Sequence, residues 1–299
     1  MTSIKTQDFT RSLVFFQLYF PTHYWIGQGV RALLFGALFC RIIDATAVTI
    51  PGLDPSREQA WAEQVRQYLR VGEVVTLSTP TGKFIALHAQ ARDRGPNHGG
   101  VILLPSPDTY PDSDPIGSLR VALSERGWHT LAIQLPTLVV GSGSVDYAPV
   151  VPAACARLHE GIVWFGTQHI ANLVVLGHGL GAAIAAACVA ENTDKDSVGG
   201  VILLGVGGAE ALPPVLDPVA AVLKIALPIL DLFGEEDAPL VRTGARAREA
   251  GRRDRGQRYE QVMLPGVDHS LAGAKDIVVA RIIGWLNRAV PGVEIKRTR

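Results

Sequence analysis

From residue 56 onward the chain alternates short apolar runs with amphipathic ones. Ser56 to Arg70 puts Ala60, Val65 and Leu69 on one helical face among polar residues. Ser56 followed three places on by Gln59 has the form of a capping box, so the segment predicts a surface helix with Ser56 at its N-cap. Two β-rich runs, Glu73 to Ser78 and Phe84 to Ala89, flank Pro80-Thr81-Gly82, which is a hairpin signal. Beyond it lie the strand-like runs Val101 to Leu104, Thr130 to Leu135, Leu173 to Leu176, Val201 to Leu204, Ile229 to Phe233 and Glu260 to Leu264. Between them stand helical patterns: Asp114 to Arg126, the stretch after Tyr147 through Leu158 and Trp164, the Ala-rich run from Ala182, and a closing helix Asp276 to Val290. Continuously apolar strands are those covered on both faces. The pattern predicts an α/β fold: an eight-stranded, mostly parallel sheet with an N-terminal antiparallel hairpin and helices on both faces. The expected layout is an extension over 1–47, a helix region over 48–72, one α/β domain over 73–293 and a basic tail over 294–299.

Composition narrows this picture. The 299 residues are 47% hydrophobic and 19% charged, enough to bury a large core and too apolar for global disorder. Lys and Arg number 28 against 28 Asp and Glu, so no overall field favours nucleic acid, and none is expected as a partner. The cysteines are Cys40, Cys155 and Cys188, without Cys-x-x-Cys or a Cys/His cluster, so neither a metal nor a cofactor is expected. Arg31, the apolar run Ala32 to Cys40 and the small residues Ala45-Thr46-Ala47 read as the three parts of an export signal, with an amphipathic N-terminal element packing on the domain as the alternative. Translation starting near Val30 would make that leader compact. Cleavage after Ala47 would leave no stable membrane span, since nine apolar residues are too few to cross a bilayer. The expected location is the periplasm, with the cytoplasm as the alternative; Cys155 and Cys188 could pair in an oxidising compartment, and two buried thiols are the favoured expectation.

Chemistry in such a sheet sits where strands turn into helices at their carboxyl ends. Leu173 to Leu176 leads into Gly177-His178-Gly179-Leu180-Gly181-Ala182, which resembles the nucleophile elbow of the α/β-hydrolase fold, G-x-S-x-G, with Gly179 at the nucleophile position. Glycine has no side chain with which to form a covalent acyl intermediate. Ile229 to Phe233 ends in Gly234-Glu235-Glu236-Asp237, which places Asp237 where that fold carries its acid, and Gly266-Val267-Asp268-His269 places His269 as the general base. The order elbow, acid, His is that of α/β-hydrolase triads. The loop Leu104-Pro105-Ser106-Pro107 would normally supply oxyanion-binding N–H groups, and its prolines have none. Gly177 to Ala182 also fits a dinucleotide fingerprint, but the next strand ends Leu204-Gly205-Val206-Gly207 without the acid that would hold a ribose. The seven arginines between Arg242 and Arg258 read as a solvated helical face.

The segment Gly127-Trp128 through Gln134-Leu135-Pro136, with the preceding loop from Ser106 and helix, resembles a bacterial α/β-hydrolase-like family known as domain of unknown function 3530. The resemblance covers about residues 70 to 290. It implies the α/β-hydrolase fold, an elbow that is often G-x-G, and frequent export signals; it implies no substrate. The chain departs from many members at Ser106, where glycine or histidine is more usual.

The favoured expectation is a non-catalytic binding or scaffold protein with a small-molecule or protein ligand in its cleft. Asp237, His269 and Gly179 are the triad-equivalent positions, and Ser106, His178 and Leu180 line the cleft. The alternative is an esterase-like hydrolase using a relocated serine, with Ser106, Ser113, Ser142 and Ser144 as loop candidates, or a water activated by His269. A hydroxyl within reach of His269 would favour the enzyme, and prolines filling the oxyanion site would favour the binder.

Overall fold

The computed structural model describes residues 50–92, 98–191, 197–253 and 258–291. The expected export leader and the basic tail lie outside the described residues. The element order is α1 (Pro55–Tyr68), β1 (Glu73–Thr79), β2 (Gly82–Ala89), β3 (Gly99–Leu104), α2 (Ile116–Ser124), β4 (Trp128–Ile133), α3 (Val151–Thr167) and β5 (Leu173–His178). It continues with α4 (Leu180–Glu191), β6 (Val198–Leu204), α5 (Pro218–Lys224), β7 (Ile229–Gly234), α6 (Pro239–Arg253), β8 (Tyr259–Leu264) and α7 (Lys275–Ala289). The sheet runs β1-β2-β4-β3-β5-β6-β7-β8. β2 is antiparallel to both its neighbours, and every pairing from β4 to β8 is parallel. This is the mostly parallel sheet with an N-terminal hairpin that the periodicity predicts.

Side chains alternate across each strand, so the sheet separates two apolar layers. Ile102 and Leu104 of β3 face the layer containing Leu158 of α3, Ile184 of α4 and Val222 of α5. Val101 and Leu103 face Val65 of α1, Leu119 of α2 and Ile282 of α7. No helix of the described residues is long and apolar enough to cross a membrane.

Five local expectations change. The N-cap of α1 is Asp54, whose Oδ1 accepts from the Arg57 N–H at 3.0 Å. Pro55 takes the first helical position, where its missing N–H has no intrahelical partner to lose, so the helix starts one residue before Ser56. Its inward face carries Ala62 and Val65, and Ala60 is exposed. α2 begins at Ile116, because a residue preceding proline, here Asp114, is disfavoured in helical conformation.

The arginine stretch is only partly solvated. Arg248 is buried and forms a two-pronged pair with Asp231, at 2.7 Å from Nε and 3.1 Å from Nη2. Tyr259 and Gln261 also donate to Asp231. Arg252 is buried and donates to the carbonyls of Ile225 and Leu227 at 2.8 and 3.2 Å. α6 is thus tied to β7 and β8 through groups that a helical-wheel reading assigns to solvent.

Cys155 of α3 and Cys188 of α4 form a disulfide with Cα atoms 5.2 Å apart, correcting the expectation of two thiols. The helices are neighbours on the same face, which brings together cysteines 33 positions apart.

Two stability measurements follow from these ties. Asp231→Ala leaves a buried guanidinium without its counter-charge and is expected to cost about 3–5 kcal/mol in urea unfolding. A loss under about 1 kcal/mol would show the pair to be dispensable. Replacing both Cys155 and Cys188 by Ala is expected to cost about 2–4 kcal/mol, and the oxidised wild type should resist thiol alkylation at both until reduced.

Candidate active site

β3 and β5 are adjacent although β4 lies between them in sequence, which makes their carboxyl ends the point where the strand order reverses. Crevices for ligands form at such points. The register pairs Leu104 with Gly177, so the residues just beyond, Ser106 and Gly179, emerge side by side. Gly179 has φ +58, the left-handed conformation of a sharp strand-to-helix turn, and it is held there by its N–H donating to Leu204 at 2.9 Å and its carbonyl accepting from Gly207 at 3.0 Å. Gly177 and Gly181 permit the turn itself. A Cβ on Gly177 would meet the Ala182 Cα at 2.5 Å, and one on Gly181 would meet the Pro105 carbonyl oxygen at 2.2 Å. The glycines of the apparent dinucleotide motif thus serve close packing of strand, loop and helix.

Asp237 and His269 are brought together by interlocked turns. The Glu235 N–H donates to Leu264 and the Glu236 N–H to Val267, each at 2.9 Å, while the Gly266 N–H donates to the Glu235 carboxylate at 3.0 Å. Across this junction His269 Nδ1–H donates to Asp237 Oδ1 at 2.8 Å, and the Ala238 N–H donates to the same oxygen at 2.7 Å. Asp237 is 2% exposed and its Oδ2 has no hydrogen-bond partner among the described residues. A buried carboxylate with an unsatisfied oxygen favours a positive charge on its neighbour. His269 is accordingly held above its ordinary pKa, first by the Asp237 hydrogen bond, with partial burial opposing and the charges of Asp237, Asp268 and Asp108 adding.

His178 lies beside it, ring centroids 4.9 Å apart, and behaves oppositely. Burial pushes its pKa down to about 4, so the ring is neutral at pH 7. His178 Nε2–H donates to the His269 carbonyl at 2.9 Å, which fixes the His178 tautomer and steadies the backbone of the second histidine.

The open cleft above these residues has a volume of about 510 Å³, in the range of small-molecule sites. Ser106, His178 and His269 line it. Leu180 does not: its half-buried side chain packs against the apolar layer beneath α4, because it follows the turn and points inward. Of the other candidate serines, Ser113 lines the cleft but its hydroxyl donates to the Tyr110 carbonyl at 2.6 Å. Ser142 and Ser144 lie outside the lining. Among the described residues, the walls carry Asp108, Asp114, Glu236 and Asp268 and no lysine or arginine.

Residues without a motif hold the Ser106 loop. The buried Thr137 hydroxyl donates to the Pro107 carbonyl at 3.0 Å, and the Thr137 N–H donates to Glu58 of α1 at 2.9 Å. Glu58 is paired with Arg157 of α3 at 2.9 Å, and Arg157 also donates to the Gln134 carbonyl at 3.0 Å. The Gln134-Leu135-Pro136 segment is therefore an anchor of the cleft wall. In the sequence it belongs to the stretch that carries the family resemblance, and two polar residues, Gln134 and Thr137, flank its apolar strand end.

The chain belongs to the family described as "Protein of unknown function (DUF3530)", whose model matches residues 44–143 and 151–288. No curated protein matches it. Among solved structures it resembles a dienelactone hydrolase from Anabaena variabilis, with TM-score 0.58, 18% identity, and coverage of 73% of this chain and 97% of that one. An alpha-beta serine hydrolase homologue from Coxiella burnetii gives TM-score 0.56, 19% identity, and 73% and 99% coverage. An esterase from Pyrobaculum calidifontis gives TM-score 0.59, 16% identity, and 79% and 91% coverage. The fold is that of the α/β hydrolases.

The two histidines are expected to titrate far apart in an NMR experiment: His269 with a midpoint above 6.5, His178 near 4. Asp237→Asn should lower the His269 midpoint, since it removes the charge and the acceptor that raise it. Because the folded value lies above the unfolded one, the pair adds stability below pH 6.5 that is lost as pH rises through the His269 pKa. A wild-type His269 midpoint below 6.5 would contradict the pairing.

Proposed function

We propose that this protein is an acyl hydrolase, esterase-like in class, that works outside the cytoplasm. The observation that carries this reading is the assembled Asp237–His269 pair at 2.8 Å, on turns that place the imidazole at the floor of an open cleft. In such a pair the Nδ1–H is held by the acid, leaving Nε2 to take a proton from an attacking hydroxyl or water and return it to the leaving alcohol. His269 is the general base, Asp237 orients it and stabilises the imidazolium, and His178 positions its backbone.

The acidic walls bear on the substrate. A cleft lined by carboxylates repels anions and concentrates neutral or cationic molecules, so esters with an uncharged or amine-bearing group fit better than carboxylated ones. The Cys155–Cys188 bond supports the extracytoplasmic location, since structural disulfides persist in oxidising compartments. A family that often carries export signals supports it too.

Gly179 favours a second reading, a non-catalytic protein that binds a ligand in the hydrolase cleft. Pro105 and Pro107, lacking N–H groups where an oxyanion would be held, point the same way. The two readings separate in one experiment. Wild type and His269→Ala are assayed on neutral, cationic and anionic short-chain esters. The hydrolase reading expects turnover that falls by about 10²–10⁴ in His269→Ala, with the anionic esters slowest. Wild-type turnover no greater than that of His269→Ala would leave the binding protein.

A further inference from the structure

We propose that Ser106 is the nucleophile of this site, its hydroxyl supplied from the end of the neighbouring strand in place of the side chain that the elbow glycine lacks. The proposal rests on the hydrolase reading above and names the group that attacks. A Cβ built on Gly179 would lie 2.8 Å from Ser106 Oγ and 3.1 Å from His269 Nε2. The serine hydroxyl and the base nitrogen therefore flank the same one-carbon space, the space a nucleophile side chain at position 179 would occupy. The glycine is what leaves that space to Ser106.

The loop is built to hold the hydroxyl still. The Ser106 carbonyl accepts from the Thr109 N–H at 2.9 Å and from its hydroxyl at 2.8 Å. The Pro107 carbonyl accepts from Thr137 at 3.0 Å and the Asp108 carbonyl from Arg57 at 3.2 Å. Prolines on both sides fix their own φ and restrict the residue before them. What stays free is rotation about the Ser106 Cα–Cβ bond. Ser106 Oγ–H donates to the His178 carbonyl at 3.3 Å, a long contact for a hydroxyl, and turning toward His269 gives up little.

Other hydroxyls near the base are committed elsewhere. Ser113 donates to Tyr110 at 2.6 Å and Ser270 to the Asp268 carboxylate at 2.6 Å. The Pro105 carbonyl abuts Gly181 in the first turn of α4, so Ser106 stands beside the amino end of a twelve-residue helix. The first N–H groups of a helix lack intrahelical acceptors and the helix dipole is positive there, so α4 stabilises an oxyanion where the prolines do not.

The chemistry balances as follows. Ser106 Oγ attacks the ester carbonyl carbon as its proton passes to His269 Nε2, and the carbonyl electron pair moves onto oxygen. Collapse breaks the bond to the alkoxy oxygen, which takes the proton from His269 and leaves as the alcohol. Water then attacks the Ser106 ester, passing a proton to His269, and collapse releases the acid while Oγ recovers that proton.

The test treats the whole protein with a fluorophosphonate, which phosphonylates an activated serine oxygen with loss of fluoride. The adduct is located by peptide mass, and ester turnover is followed in parallel. The expected result is a single adduct on Ser106, labelling and turnover each reduced about a hundredfold or more in both Ser106→Ala and His269→Ala, and near-UV spectra unchanged. Ser106→Cys provides a second variant, whose thiol should alkylate with iodoacetamide faster when His269 is present than in the double variant with His269→Ala. If Ser106→Ala does not fold, the wild-type adduct site and the Ser106→Cys rates decide. An adduct on another serine overturns the proposal. Turnover that survives in Ser106→Ala but not in His269→Ala overturns it while leaving the hydrolase reading standing on a water route. No turnover and no adduct in wild type overturns both.

Discussion

Leu104 opposite Gly177 in the parallel ladder, with Gly181 pressed against the Pro105 carbonyl, is the contact on which the site depends. A side chain at Gly177 or Gly181 would lift α4 from the ends of β3 and β5, since the nearest atoms are backbone and have nowhere to go. With the helix seated, the elbow, the Ser106 loop and the turn after β6 converge on one point. Gly205 belongs to this arrangement, because a Cβ there would lie 2.9 Å from Asp237 Oδ2 and 3.1 Å from His269 Nδ1.

The electrostatics at that point are arranged by burial and by one charge. Asp237 is sealed beneath the cleft with one oxygen unpaired among the described residues, so His269 takes a proton more readily than a free imidazole does. A second histidine 4.9 Å away would compete for that proton if it were equally basic. Burial removes the competition by keeping His178 neutral, and its N–H then serves as a structural donor to the His269 carbonyl. Two rings of the same chemistry thus take separate roles, set by solvent access rather than by sequence distance.

Much of this was legible from local pattern. The three turns carrying Gly179, Asp237 and His269 were found because each follows an apolar strand and carries its own small or polar residues. The hairpin was equally clear from Pro80-Thr81-Gly82 between two β-rich runs. Helix faces were less legible: Arg248 and Arg252 look like solvated charges on a wheel, and only the approach of Asp231 and of two carbonyls turns them inward. The motif places Leu180 at the cleft, whereas in the structure its half-buried side chain packs against the apolar layer that includes α4. Glu58, Thr137 and Arg157 carry no motif, and their joint role as a clamp on the Ser106 loop exists only when α1, the strand end after β4 and α3 meet.

What the sequence determined by itself was the order of elements and the identity of the turns that could bear chemistry, because periodicity and turn residues act over a few positions of chain. What tertiary structure decided was lateral: which of four loop serines faces the space above Gly179 that His269 also borders, which arginines find carboxylates or carbonyls, and that Cys155 meets Cys188. Those outcomes depend on the register between strands and on the packing of helices far apart in sequence, and no local pattern encodes a distance across the sheet.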